Sequence, residues 1–167
     1  LEELSMLARR FFLSRLPIEK LRLAPRAYWR IFLDVLVIGA LSLADLDWLF
    51  VALRQALLTT HLPLVRVFFN SWREEFVYET LEDTVAPFVP ADLPIVRLVG
   101  EMEGQLVLDL HHDELLAVDS CFLVSVGSDG RMRQAEKLDG KPRDPQRVAG
   151  VFRRLEELAG PLAETGL

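Results

Sequence analysis

Anion binding needs hydroxyl, amide or guanidinium groups close to free backbone N–H groups. Two places in this chain combine them. Ser42 precedes an apolar periodic run and has Asp45 three residues on, and Asn70-Ser71-Trp72-Arg73 follows the apolar run 64–69. If each opens a helix, its free amides and dipole favour negative charge. Ser42, Asn70, Ser71 and Arg73 are therefore candidate ligand-binding residues. Arg66 and Arg97 join them, because each is a charge set among apolar residues. On adjacent strands two arginines in equivalent register need a counter-charge, and Asp34 is the expected one. The competing reading makes Ser42 and Ser71 plain helix caps and lets the arginine stems cover apolar surface with their heads in water. No glycine-rich phosphate loop follows any of these runs, so the common nucleotide fingerprints are missing. No residue is assigned a catalytic role.

His111-His112-Asp113-Glu114 and Cys121 offer metal-binding and proton-transfer groups. Adjacent histidines on an extended chain point to opposite faces and rarely share a metal. His61 is the one other histidine, so no metal and no cofactor is expected. A lone cysteine makes no internal disulfide, and the signatures that mark a nucleophilic cysteine or a Gly-x-Ser-x-Gly serine are absent. Trp29, Trp48 and Trp72 are expected to be core aromatics.

The elements that would position these groups follow from periodicity. Leu4, Leu7 and Phe11 predict a helix over 2–14. The β-branched residues of 28–38 predict a buried strand. Ser42 with Asp45 predicts a capped helix whose stripe is Leu43, Leu46, Leu49, Phe50, Leu53 and Leu57. A strand over 64–69 is followed by Ser71 and Glu74, which repeat the capping pattern and predict a helix over 72–87. Strands are expected at 95–99 and 105–110. The hairpin of 122–138 turns at Ser128-Asp129-Gly130, with its first strand deeper in the sheet and its second at a charged edge. Asp144 caps a last helix with Val148, Phe152, Leu155 and Ala159 inward, which Gly160-Pro161 ends. The runs 62–67 and 93–98 resemble each other at a spacing of 31 residues, which suits one βαβ unit. The expected fold is thus α/β: a mixed sheet with a parallel βαβαβ portion, a C-terminal antiparallel hairpin and packing helices, preceded by an N-terminal helix. The expected division is an N-terminal helical arm, 1–24, and a single α/β domain, 25–167.

The 167 residues are 51% apolar and 26% charged, a globular composition, with a net charge of −6. Beginning at Leu1 and not Met, the chain is expected to be a trimmed form or a piece of a longer protein. Residues 1–30 carry seven basic and three acidic side chains, whereas 71–120 carry two arginines and twelve acids. A segment so acidic repels phosphates, so no nucleic acid is expected as partner. The apolar stretch 31–58 contains Asp34, Asp45, Asp47 and Arg54, too many charges for a membrane span. One cysteine and no visible leader point to the cytoplasm. The expected function is a non-catalytic interaction or regulatory module that meets a protein partner or its own copy through the apolar 42–58 helix. The alternative is an enzyme or small-anion binder with its site at the carboxyl ends of the parallel strands. A third is an adaptor that pairs its edge strand with a peptide.

Overall fold

The computed structural model describes residues 2–88, 93–140 and 145–164. In chain order its elements are α1 (Glu2–Phe11), β1 (Arg22–Ala24), β2 (Ala27–Tyr28), α2 (Leu46–Leu58), β3 (His61–Asn70), β4 (Glu75–Pro87), β5 (Ile95–Met102), β6 (Gln105–Leu108), α3 (His112–Leu115), β7 (Ser120–Val126), β8 (Met132–Gly140) and α4 (Pro145–Glu164). Short 3-10 turns lie at Leu13–Arg15, Ile18–Leu21 and Leu43–Asp45. The chain divides into two compact units, one of Leu1–Arg15, Val37–Arg54 and Asp92–Leu167, the other of Leu16–Leu36 and Gln55–Ala91.

The expected parallel βαβαβ portion is corrected. All three sheets are antiparallel: β1 with β2, β3 with β4, and a four-stranded sheet in the order β6-β5-β7-β8. Two misread segments account for the difference. The stretch predicted as a helix over 72–87 is β4, folded back on β3. Phe76, Tyr78 and Thr80 recur every second residue on one face, opposite Phe69, Val67 and Val65 of β3. That period of two outweighs a single capping pattern. The stretch predicted as a strand over 28–38 is irregular beyond Tyr28. The similar runs 62–67 and 93–98 are both extended, but they lie in different sheets.

In the first unit β7 is central, and every residue from Ser120 to Val126 is buried. Its alternate side chains serve two cores. Phe122, Val124 and Val126 pack with Val99 of β5 against Val151, Leu155, Ala159 and Leu162 of α4. Cys121 faces the opposite way, with Leu98 and Leu110. Phe11 and Phe12 at the end of α1 meet Phe50 of α2, with ring centroids 6.0 and 5.6 Å apart. At the 128–130 turn the Gly127 amide donates to the Arg131 carbonyl at 2.9 Å, and Gly130 takes the left-handed φ of 71°. β8 is the edge strand and has only partly buried and exposed positions. α4 runs through Gly160-Pro161 to Glu164, which corrects the expected stop. The expected cap Asp144 and the side chain of Val148 lie outside the described residues.

In the second unit the long β3–β4 hairpin turns at 71–74. The Asn70 side-chain carbonyl accepts the amides of Trp72 and Arg73 at 3.0 and 3.3 Å, and Glu74 has a φ of 52°. Phe69 and Phe76 stack edge to face at 5.3 Å across the strands.

Candidate ligand-binding cleft

An incomplete strand pairing creates the site. β6 is four residues long and pairs with β5 only from Val99 to Met102. Among the described residues no strand continues that edge along 95–98. A buried backbone N–H left there needs an acceptor. The first turn of α2 supplies one: the Asp47 carboxylate accepts the Leu98 amide at 2.5 Å. Asp47 reaches this position because Asp45 starts the helix where it does. The Asp45 carboxylate accepts both the amide and the hydroxyl of Ser42, at 2.7 and 2.8 Å, and these bonds hold its pKa below the usual range.

Asp47 is 8% exposed. Burial pushes its carboxyl above the ordinary aspartate range, against the Leu98 amide and the Arg97 charge, which pull it down; nearby Asp109 pushes it further up. Arg97 has the same strand parity as Val99 and so projects to the α4 side of the sheet. Asp109, just past β6, holds a left-handed φ of 56°. These three charged groups line a cavity of about 410 Å3. Its apolar walls are Trp48 and Val51 of α2, Leu108 of β6, and Leu158, Pro161 and Leu162 of α4. The continuation of α4 past Gly160 therefore forms one wall.

A wider cavity, about 560 Å3, lies at the β5–β6 turn beside Arg153 and Arg154. Part of its polar lining builds the turn. Glu101 accepts the Gly104 amide at 3.1 Å, Asp119 accepts the Glu103 amide at 3.2 Å, and Arg154 donates to the Gly104 carbonyl.

The residues predicted from sequence are divided between the two units. Ser42 and Arg97 belong to the first unit; Arg66, Asn70, Ser71 and Arg73 belong to the second. Of the six, Arg97 alone lines the cleft. Ser42 does cap α2, as its spacing suggests. Asn70 and Ser71 sit in a hairpin turn and not at a helix start. Arg66 pairs with Glu79 at 3.7 Å and Arg73 with Glu75 at 3.7 Å, both on exposed surface. Asp34 is exposed in the irregular 29–42 stretch and belongs to the other unit from Arg97. His111 and Glu114 form a cap in which the His111 amide donates to Glu114 at 2.8 Å. Among the described residues no three metal-binding side chains cluster.

Sequence reasoning missed Trp48, Asp47 and Asp109 as site residues. Trp48 and Trp72, core aromatics on the sequence pattern, are 72% and 96% exposed. The available sign was Asp47-Trp48 itself, a charged residue and a large ring side by side in a helix whose stripe, Leu46, Phe50, Leu53 and Leu57, is already complete and buried.

No family model matches the chain, and no curated protein matches it. Among solved structures it is similar to a chain of the Archaeoglobus fulgidus exosome with RNA bound to the active site, at 18% identity and a TM-score of 0.42. The match covers 66% of this chain and 37% of that one, so the chain spans little more than a third of the protein it matches.

The partner expectations are corrected here. The exclusion of nucleic acid is withdrawn, because the acidic segment behind it is divided between the two units. Five of its twelve acids lie in the second unit and seven in the first. The apolar helix face expected to meet a protein is largely used within the chain, since Leu46, Phe50, Leu53 and Leu57 are buried and Trp48 and Val51 line the cleft. No helix among the described residues is long and apolar enough to cross a membrane.

Proposed function

We propose that the chain is a non-catalytic regulatory module that binds a small amphipathic molecule in the cleft between α2, the β5–β6 edge and α4. One observation carries this reading: about 410 Å3 of mostly apolar space into which Asp47, Arg97 and Asp109 converge. Small-molecule sites are typically roughly 300–1,000 Å3, apolar, with a few placed polar groups and a shifted titration among them. The cleft combines all of these. The wider cavity has the volume, but two of its three carboxylates accept amides of the turn. A binding role suits the chemistry better than catalysis, because Asp47 is tied to the Leu98 amide and the cleft lining contains no serine, threonine, cysteine, lysine or histidine. The earlier alternative, a site at the ends of parallel strands, has lost its structural basis.

The test is a fragment titration of the isotopically labelled chain followed by amide NMR, using small amines, carboxylates and indoles. The expected result is a set of shifts centred on Trp48, Val51, Leu108 and Leu158. Leu108→Trp, which fills the cleft from β6, should abolish them while leaving the remaining spectrum folded. Shifts centred elsewhere, or none with any fragment, would remove the reading.

A further inference from the structure

The charges in the cleft point to the kind of ligand it takes. Asp47 and Arg97 act on each other, and Asp47 also holds the Leu98 amide. Those two opposite charges balance. Asp109 is the surplus carboxylate: it is exposed and makes no ion pair with any described residue. The cleft therefore carries one net negative charge. Asp109 stands at the β6 end of the lining, and Trp48 presents a largely exposed ring from α2. A carboxylate and an indole face both attract a cation, the first by charge and the second by its quadrupole. An anion would instead meet two carboxylates and a guanidinium whose charge already acts on Asp47. The remaining walls, Val51, Leu108 and Leu158, suit a hydrocarbon tail.

We infer that the ligand class of this cleft is a small alkyl- or arylalkyl-ammonium ion, its cation at Asp109 and Trp48 and its tail between α2 and α4. This rests on the reading of the cleft as a ligand site. An ordered charge-assisted contact is stronger than its neutral counterpart, and its removal changes affinity by roughly tenfold.

The experiment titrates the full chain with two matched pairs, hexylammonium against hexanoate and phenethylammonium against 3-phenylpropanoate. Ionic strength is held constant, and binding is read by amide shifts and by the fluorescence that Trp48→Phe removes. The ammonium ions are expected to bind about tenfold or more tightly than their carboxylate partners. Asp109→Asn is expected to erase most of that preference; asparagine tolerates the left-handed backbone at 109, so the fold is retained. Carboxylates that bind the cleft more tightly than ammonium ions would overturn the ammonium assignment and leave the cleft as a site. Ammonium binding in the cleft that Asp109→Asn leaves unchanged would overturn the place given to the cation. Shifts in the cleft with neither probe would overturn the site itself.

Discussion

Asp47 in the first turn of α2 and Leu98 in the middle of β5 lie 51 positions apart in the chain and are joined by a buried 2.5 Å hydrogen bond from amide to carboxylate. The bond completes a strand edge where β6 stops short, and it docks a helix at the same point. Asp47→Ala leaves the Leu98 amide buried without an acceptor, which costs about 1–3 kcal/mol. Urea unfolding measures this. A variant as stable as the parent would mean that water or a neighbouring group satisfies the amide.

The same carboxylate gives the stability a pH dependence of known sign. Burial raises the folded-state pKa of Asp47 above its unfolded value. Its contribution is therefore fully present below the ordinary aspartate pKa and is lost as pH rises through the raised folded value. Asp47→Asn keeps a carbonyl acceptor and removes the titration. The difference in unfolding free energy, parent minus variant, should fall as pH climbs from about 3 to about 8. A difference that rises over this range would contradict the direction assigned to Asp47.

Gly100 in β5 lies opposite Val107 of β6 and Cys121 of β7, beneath Leu110 and Val118. A Cβ at this position would lie 2.8 Å from a methyl of each. Both neighbours belong to the packing around Leu98 and Cys121, so they yield only by disturbing that core. Gly100→Ala is expected to destabilise the first unit by about 1–3 kcal/mol, the range for overpacking a tight core. Gly150, which has open space around its Cβ position, is the control: alanine there should be neutral or slightly stabilising, since helices favour it.

How far the sequence reveals this fold depends on whether a pattern is local. The 120–140 hairpin is legible because Phe122, Val124 and Val126 alternate up to a glycine turn, and both signals are contained in the segment. Ser42 with Asp45 is legible for the same reason. Ser71 with Glu74 has the same spacing and misleads, because Asn70 takes the amides of Trp72 and Arg73 and turns the chain back. A capping pattern states that amides need acceptors; it does not state that a helix follows. Val35, Val37 and Ile38 have strand propensity, but a strand exists only with a partner, and nothing local names one.

The cleft was harder to read for a further reason. Asp47, Arg97, Asp109 and Leu158 come from four separate elements, and what joins them is the shortness of β6 and the extension of α4 through Pro161. Neither is written near the residues it brings together. Arg97 stands out as a charge among apolar residues, and Asp47, between Leu46 and Trp48, carries the same local mark.

At the start of α2, the Ser42 amide and hydroxyl both donate to Asp45 and lower its pKa, the amide more strongly. Asp45 therefore stabilises the fold above its unfolded pKa, and that contribution is lost as pH falls through the lowered folded value. Ser42→Ala removes the hydroxyl and keeps the amide. The carboxyl of Asp45, followed by NMR titration, should move part of the way back to the ordinary range. A titration unchanged by Ser42→Ala would assign the whole effect to the backbone.

Cys121 tests whether the centre of the sheet behaves as a sealed core. It is buried on the face that holds Leu98 and Leu110, and it pairs across the ladder with Asp139 of β8. Burial, and then the Asp139 charge, push its thiol above the usual range. The thiolate is the reactive form, so two effects suppress modification: little thiolate and no access. An aromatic disulfide reagent near neutral pH should leave the folded chain unmodified and label it at a rate that rises with urea in step with unfolding. β7 is central and flanked on both sides, so labelling should require the unfolding that exposes that strand. Rapid stoichiometric labelling without denaturant would show that β8 detaches locally, since that edge strand is what covers Cys121 from the Asp139 side.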